Sequence, residues 1–218
     1  MIERRQVLLG GAMLAGMPAM LRASLPVPGD RLGFDIMRKG SKLGTHELSF
    51  ERSGDALTVH VAADLVVKIG FITLYRFSHH ATERWVGDEL AALQTSSNDN
   101  GTSNQVIGRR DASGFVVEGT KARRYVAPAD ALPATHWNRR ELDGPLINAQ
   151  DGRLMRPRIA LIGSDMIPTA LGTQIRANHY ALTGDVQLDM WYDAKPSWAG
   201  LSLKAPDGST IRYERQGG

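Results

Sequence analysis

The chain has 218 residues and no cysteine. That absence excludes disulfides, thiolate metal sites, a cysteine nucleophile and the lipidated cysteine of a lipoprotein. The fold must hold by burial and hydrogen bonding alone. Aromatic residues make up only 6% of the chain, too few for the two interfacial girdles of an outer-membrane barrel. Lys and Arg never run five in a row, so no basic stripe marks nucleic acid as a partner. Beyond residue 24 no apolar stretch approaches the roughly 18–20 residues that a membrane-spanning helix needs. Also missing are the G-x-S-x-G elbow, a phosphate-cradling glycine loop, a dinucleotide fingerprint, and the H-x-H or H-E-x-x-H spacings that set two metal ligands side by side. Triad hydrolysis and metal chemistry recede accordingly, and no cofactor is implied.

What is present begins at the N-terminus. Arg4-Arg5-Gln6-Val7-Leu8-Leu9 leads into an apolar run ending at Leu21, followed by the small residues Ala23 and Ser24. Charged, apolar and small segments in that order are the layout of an export signal. Paired arginines and a core diluted by Gly10, Gly11, Gly16 and Pro18 favour the twin-arginine route over general secretion, although Glu3 stands where Ser or Thr is usual. The expected product is a periplasmic or secreted domain of residues 25–218. Leu21 at the minus-three position is a poor cleavage residue, so an uncleaved leader is the one membrane contact the sequence suggests. Removing residues 1–24 takes away three arginines and one glutamate, lowering the formal charge from +3 to +1. A high isoelectric point therefore says little about partners.

From Leu32 onward apolar residues recur mainly with period two, the pattern of half-buried strands. Turn signals at Gly40, Ser53-Gly54-Asp55, Gly87-Asp88, Asn100-Gly101, residues 111–114, Asp151-Gly152, Gly184-Asp185 and Asp207-Gly208 divide the runs. The spacing predicts an all-β domain: a long antiparallel sheet curled into an open barrel, with few short helices. Residues 127–133, with two prolines, read as a crossing loop that breaks the meander, and residues 164–172 as a short helical turn or loop.

The stretch 74–86 carries the most suggestive side chains. On a strand Tyr75, Phe77, His79, Ala81, Glu83 and Trp85 share one face. On a concave surface they would place an acid and a base in an aromatic-walled pocket, with His79 and Glu83 about 13 Å apart along the strand. His46, beside Leu48 and Phe50, would join them if its face is also concave. His136-Trp137-Asn138 offers stacking and hydrogen bonding to a ligand, or a plug for the end of the sheet. Under a carrier reading Phe50, Val61, Phe77 and Trp85 form a continuous apolar inner wall. An acid/base enzyme of lyase or isomerase type would instead use His79, Glu83 and His46 or His136, and an envelope interaction protein would show an unpaired edge or apolar patch.

The order of motifs is itself informative. Gly40-x-x-x-Gly44-x-His46, Tyr75-Arg76-Phe77-x-His79-x-x-x-Glu83-x-Trp85, His136-Trp137-Asn138, His179-Tyr180-x-Leu182-x-Gly184, Leu188-x-Met190-Trp191-Tyr192-Asp193 and Asp207-Gly208-Ser209-x-Ile211-x-Tyr213 follow one another. The succession resembles an exported bacterial family known as domain-of-unknown-function family 6134, over about residues 33–215. It is also distantly similar to periplasmic domains built as a curled open barrel, among them the lipoprotein-carrier (Lol) proteins. The resemblance implies an all-β half-barrel with a concave face and assigns no catalytic residue. An apolar or amphipathic small molecule or lipid is the expected partner.

Overall fold

The structure, a computed structural model, describes residues 29–195 and 197–217. The export signal read from residues 1–24 lies outside them. The N-terminal half is a meander of long hairpins: β1 (Arg31–Arg38), β2 (Ser41–Ser53), β3 (Ala56–Ile69), β4 (Ile72–Val86), β5 (Glu89–Asp99), β6 (Thr102–Asp111), β7 (Gly114–Gly119) and β8 (Ala122–Ala127). Three short strands follow, β9 (Leu132–Pro133), β10 (Leu146–Ile147) and β11 (Leu154–Met155), with a 3-10 helix at Arg139–Asp143 between the first two. A second meander closes the chain: β12 (Arg158–Pro168), β13 (Gln174–Thr183), β14 (Leu188–Tyr192), β15 (Trp198–Lys204) and β16 (Thr210–Arg215).

Both meanders join in one 13-stranded antiparallel sheet, because β16 returns to pair with β1. The two edges, β8 and β12, do not pair with each other, so the barrel is open. Turns are tight where glycine supplies the left-handed conformation, as at Gly40 with φ 79° between β1 and β2. Residues 164–168, read from the sequence as a helical turn or loop, are instead the second half of β12. There Gly163 and Pro168 masked an exposed edge strand whose outer side needs no ladder partners.

Period-two burial follows from the curl. Leu32, Phe34, Leu48, Phe50, Val59, Val61, Trp85, Leu93 and Val106 point into the concavity and pack against Met190, Tyr192 and Trp198 of the second meander. The chain crosses from one edge of the sheet to the other through residues 128–157. That segment dives into the concavity and contributes Leu132, Trp137, Leu142, Leu146 and Ile147 to the same core. It is a plug, held to the sheet by Lys121 N donating to Asp151 O (3.1 Å), Ser97 Oγ to Gln150 O (3.2 Å) and Tyr125 OH to Gly152 O (2.9 Å). At Gly119 a Cβ would lie 2.7 Å from the Gly152 Cα, so bare backbone is what lets the plug seat.

Gly44 marks the last residue of β2 paired to β3, opposite Leu65. A Cβ there would overlap the Asp64 carbonyl oxygen and sit 2.7 Å from the Leu65 Cα. Since the obstacle is backbone, it cannot rotate away. Gly44→Ala is expected to lower the unfolding free energy by about 2 kcal/mol, the scale of overpacking a close-packed site, as read by urea denaturation.

Candidate functional site

Across the middle of the concave face one row of residues turns polar. His46 stands opposite Ala63, Ala63 opposite His79, His79 opposite Ser97, and Ser97 opposite Asn104. All five are buried. The small Ala63 leaves the two imidazoles facing each other over two strand spacings, about 10 Å. His46 lies among the rings of Trp198 (5.1 Å between centroids), Tyr213 (5.7 Å) and Phe34 (6.5 Å), and Phe77 stacks on His79 at 6.5 Å. Among the described residues neither nitrogen of His46, nor Nδ1 of His79, nor Oδ1 of Asn104, nor Oγ1 of the adjacent Thr95 has a hydrogen-bond partner. Buried polar atoms without partners are rare, since each forfeits its hydration. Burial, reinforced by the mutual proximity of His46, His79 and His136, holds the His46 pKa well below the ordinary imidazole value. Burial, with the neighbouring His80 and His136, pushes His79 down to about 4. Both rings are therefore neutral at pH 7, each presenting one donor and one acceptor.

Below that row the concavity is filled. Glu83, fully buried, accepts from Trp85 Nε1 (2.7 Å) and Trp137 Nε1 (3.0 Å) on Oε2 and from Thr135 Oγ1 (2.5 Å) on Oε1. Burial raises its pKa, Thr135, Trp137 and Trp85 pull it back down, and Glu141 adds a further upward push. Both oxygens are committed to tying the plug to β4. Sequence alternation correctly set His79 and Glu83 on one face, but the structure separates their surroundings. Trp85 packs edge-on against Trp137 (5.6 Å), and Phe50 meets the same indole at 5.6 Å. Phe50, Val61 and Trp85 therefore belong to the packed core and not to an open inner wall, because the crossing segment occupies the space they face.

His136 and Asn138 build the plug. His136 has φ 73°, a conformation held from both sides. Its N and Nδ1 lie 3.2 and 3.0 Å from the buried Glu141 carboxylate, and Tyr192 OH lies 2.8 Å from the His136 carbonyl oxygen and 2.9 Å from Glu141 Oε1. Asn138 caps the 3-10 helix by accepting from Arg140 N at 3.2 Å. Its Nδ2 has no partner among the described residues.

Above the polar row the concave face is only half-buried. Tyr75, Phe77, Val67, Leu203, Ile211 and Tyr213 line it. Burial and the carboxylate of Asp99 raise the Tyr75 pKa, and burial takes that of Tyr213 up to about 12, so both phenols stay protonated donors. The arrangement is a half-buried apolar strip above a row of buried polar groups, among them two neutral imidazoles with ring nitrogens that have no partner among the described residues. Sequence reasoning found His46, Tyr75, Phe77 and His79 of this set. It missed Ser97, Asn104 and Tyr213, although the face Leu93, Thr95, Ser97 turning from apolar to polar was a visible signal.

Two other clusters are structural by comparison. His179 lies 2.9 Å from Asp165 and 2.8 Å from Asp189 and stacks on Trp191 at 4.5 Å. It stitches β12, β13 and β14 together beside the small second core of Ile167, Ala177 and Ala199. On the other side of the sheet a shallow groove of about 410 Å³ runs past Glu47, His60, His80 and Thr82. Its polar groups reach solvent, and His60 already meets Thr82 at 3.2 Å, so nothing there demands a ligand. No three His, Asp or Glu side chains among the described residues converge as metal ligands.

Among solved structures the chain is similar to a beta-barrel-like protein of domain of unknown function DUF1849 from Brucella abortus, with a TM-score of 0.60 and 12% identity over 88% of this chain and 97% of that one. At that identity the likeness is one of fold. No curated protein matches. The open barrel carries its motifs in the order first noted in the sequence, and the chain belongs to the family described as domain of unknown function (DUF6134), whose model matches residues 34–216.

Proposed function

We propose that this protein is an exported envelope protein that binds an amphipathic small molecule or lipid in the upper half of its concavity. The polar group of the ligand reaches His46, His79 and Asn104, and its apolar portion lies along Phe77, Tyr75 and Tyr213. One observation carries the reading: both ring nitrogens of His46 and Nδ1 of His79 are buried, and nothing among the described residues satisfies them. Neutral imidazoles suit a hydroxyl, amide or ester better than a strong anion. The leader sequence supports the periplasmic or secreted setting.

The test is native mass spectrometry, with organic extraction, of the protein purified gently from the periplasm of an expressing bacterium. A His46→Phe, His79→Leu double variant is measured beside it. Removing unsatisfied buried polar groups is neutral or stabilising for the empty fold, so the variant should stay folded and lose the bound molecule. An apo mass for the parent protein, or equal ligand load in the variant, would refute the proposal. Weight would then pass to an envelope interaction role, which one observation favours: edge strand β12 exposes Leu161, Ile162 and Met166 along a side with no partner strand among the described residues.

A further inference from the structure

The two longest strands, β3 and β4, outrun their neighbours. Pairing of β2 to β3 stops at Gly44 opposite Leu65, and pairing of β4 to β5 stops at Phe77 opposite Asp99. Beyond those points the ladder joins β3 and β4 only to each other, from Val66 opposite Arg76 to the tip, with Asn100 N donating to Arg76 O (2.8 Å) at its base. A two-stranded ribbon standing alone in water is marginal, and such tips are ordinarily polar. This one is apolar. Phe71 is 99% exposed, Ile72 60% and Leu74 52%, and Gly70, with φ 59°, makes the turn that presents them. Residues 66–76 include no carboxylate and two cations, Lys68 and Arg76. Both cations are exposed at the base of the tip, and no salt bridge among the described residues engages either.

We propose that the β3–β4 hairpin tip docks into the surface of an anionic phospholipid bilayer, burying Phe71, Ile72 and Leu74 while Lys68 and Arg76 meet the headgroups. A bilayer accepts a small apolar point ringed by cations, because the side chains need only reach the acyl boundary and the charges stay in the headgroup layer. A protein partner would need a broad complementary face, and the tip is too narrow to offer one. The only membrane contact expected from the sequence was an uncleaved leader. Here the folded domain supplies its own, at the end of the sheet where Tyr75 and Phe77 lie half-buried. The inference does not depend on the ligand reading.

Because the chain lacks cysteine, Thr73→Cys labels the tip uniquely with NBD. Ala112→Cys, in the β6–β7 turn at the opposite end of the sheet, serves as control. Full-length labelled chains are mixed with vesicles of three parts phosphatidylethanolamine to one part phosphatidylglycerol. The label at position 73 should shift to the blue with a several-fold gain in intensity, and the label at 112 should stay aqueous. Adding Phe71→Ser and Ile72→Ser to Thr73→Cys should abolish the response. Lys68→Glu with Arg76→Glu should weaken it, and added salt should do the same. A label at 73 that stays aqueous, whether or not the chain sediments with vesicles through its leader, overturns the proposal. So does an equal response at 73 and 112, or a tip variant that behaves like the parent. None of these outcomes alters the co-purified mass that tests the ligand reading.

Discussion

Glu83→Ala is expected to lower the unfolding free energy by about 4 kcal/mol, since three buried donors lose their acceptor at about 1–3 kcal/mol each with partial relaxation. The donors are Trp85 Nε1, Trp137 Nε1 and Thr135 Oγ1. Two of them belong to the plug, so the variant should also loosen residues 128–157, with loss of the near-ultraviolet circular dichroism of the buried indoles. Glu83→Gln makes the contrast. Both indoles donate to Oε2 and only the Thr135 hydroxyl meets Oε1. An amide can place its oxygen toward the indoles and its NH₂ toward the hydroxyl, which rotates to accept. The amide also removes a charge from a site where burial disfavours it. Glu83→Gln should therefore stay within about 1 kcal/mol of the parent at neutral pH. Urea denaturation of both variants decides the matter. Equal losses would mean that the negative charge, and not the acceptor geometry, holds the plug.

Stability should also fall as the medium is acidified from pH 6.5 to 4. Burial pushes the His79 pKa in the folded protein down to about 4, against 6.5 for an ordinary imidazole. Between those pH values the unfolded chain binds the proton and the folded one does not, so protonation draws the equilibrium toward unfolding. The shift corresponds to about 3 kcal/mol for His79. His46 is displaced in the same direction by burial and adds to it. Below pH 4 the His79 contribution is fully lost and its slope vanishes. Glu83 works in the opposite sense: its raised pKa makes folding less favourable as pH climbs above 4.5, and the Glu83→Gln background removes that contribution. The check is a urea midpoint series from pH 4 to 8 in Glu83→Gln, with and without His46→Phe and His79→Leu. The slope between 5 and 6.5 should flatten with the histidines removed. A slope that survives their removal would place the acid sensitivity elsewhere.

Much of the architecture was legible because it is local. A strand alternates whatever its partners, so Tyr75, Phe77, His79, Glu83 and Trp85 could be set on one face before any pairing was known, and they share it. Gly40 announced its turn, which falls between β1 and β2. Residues 164–168 misled because glycine, serine and proline carry turn signals that an exposed edge strand overrides. Of the contents of the concavity, only the alternative that Trp137 plugs the sheet was legible. Trp137 and Trp85 could be read as pocket walls or as core, and which they are depends on a segment about fifty residues distant in sequence returning to fill the space.

By itself, then, the sequence determined the all-β class, the hairpin boundaries, the face each strand residue occupies and the family to which the motif order belongs. Each follows from backbone alternation and turn chemistry acting over a few residues. Tertiary structure alone decided that Ala63 seats His46 and His79 in one buried polar row, that Glu83 clamps the plug, and that the β3–β4 tip reaches past the pairing of its neighbours. These depend on strand register and on where the chain crosses the barrel, both set by the summed packing of residues far apart in sequence, and no local pattern encodes that sum.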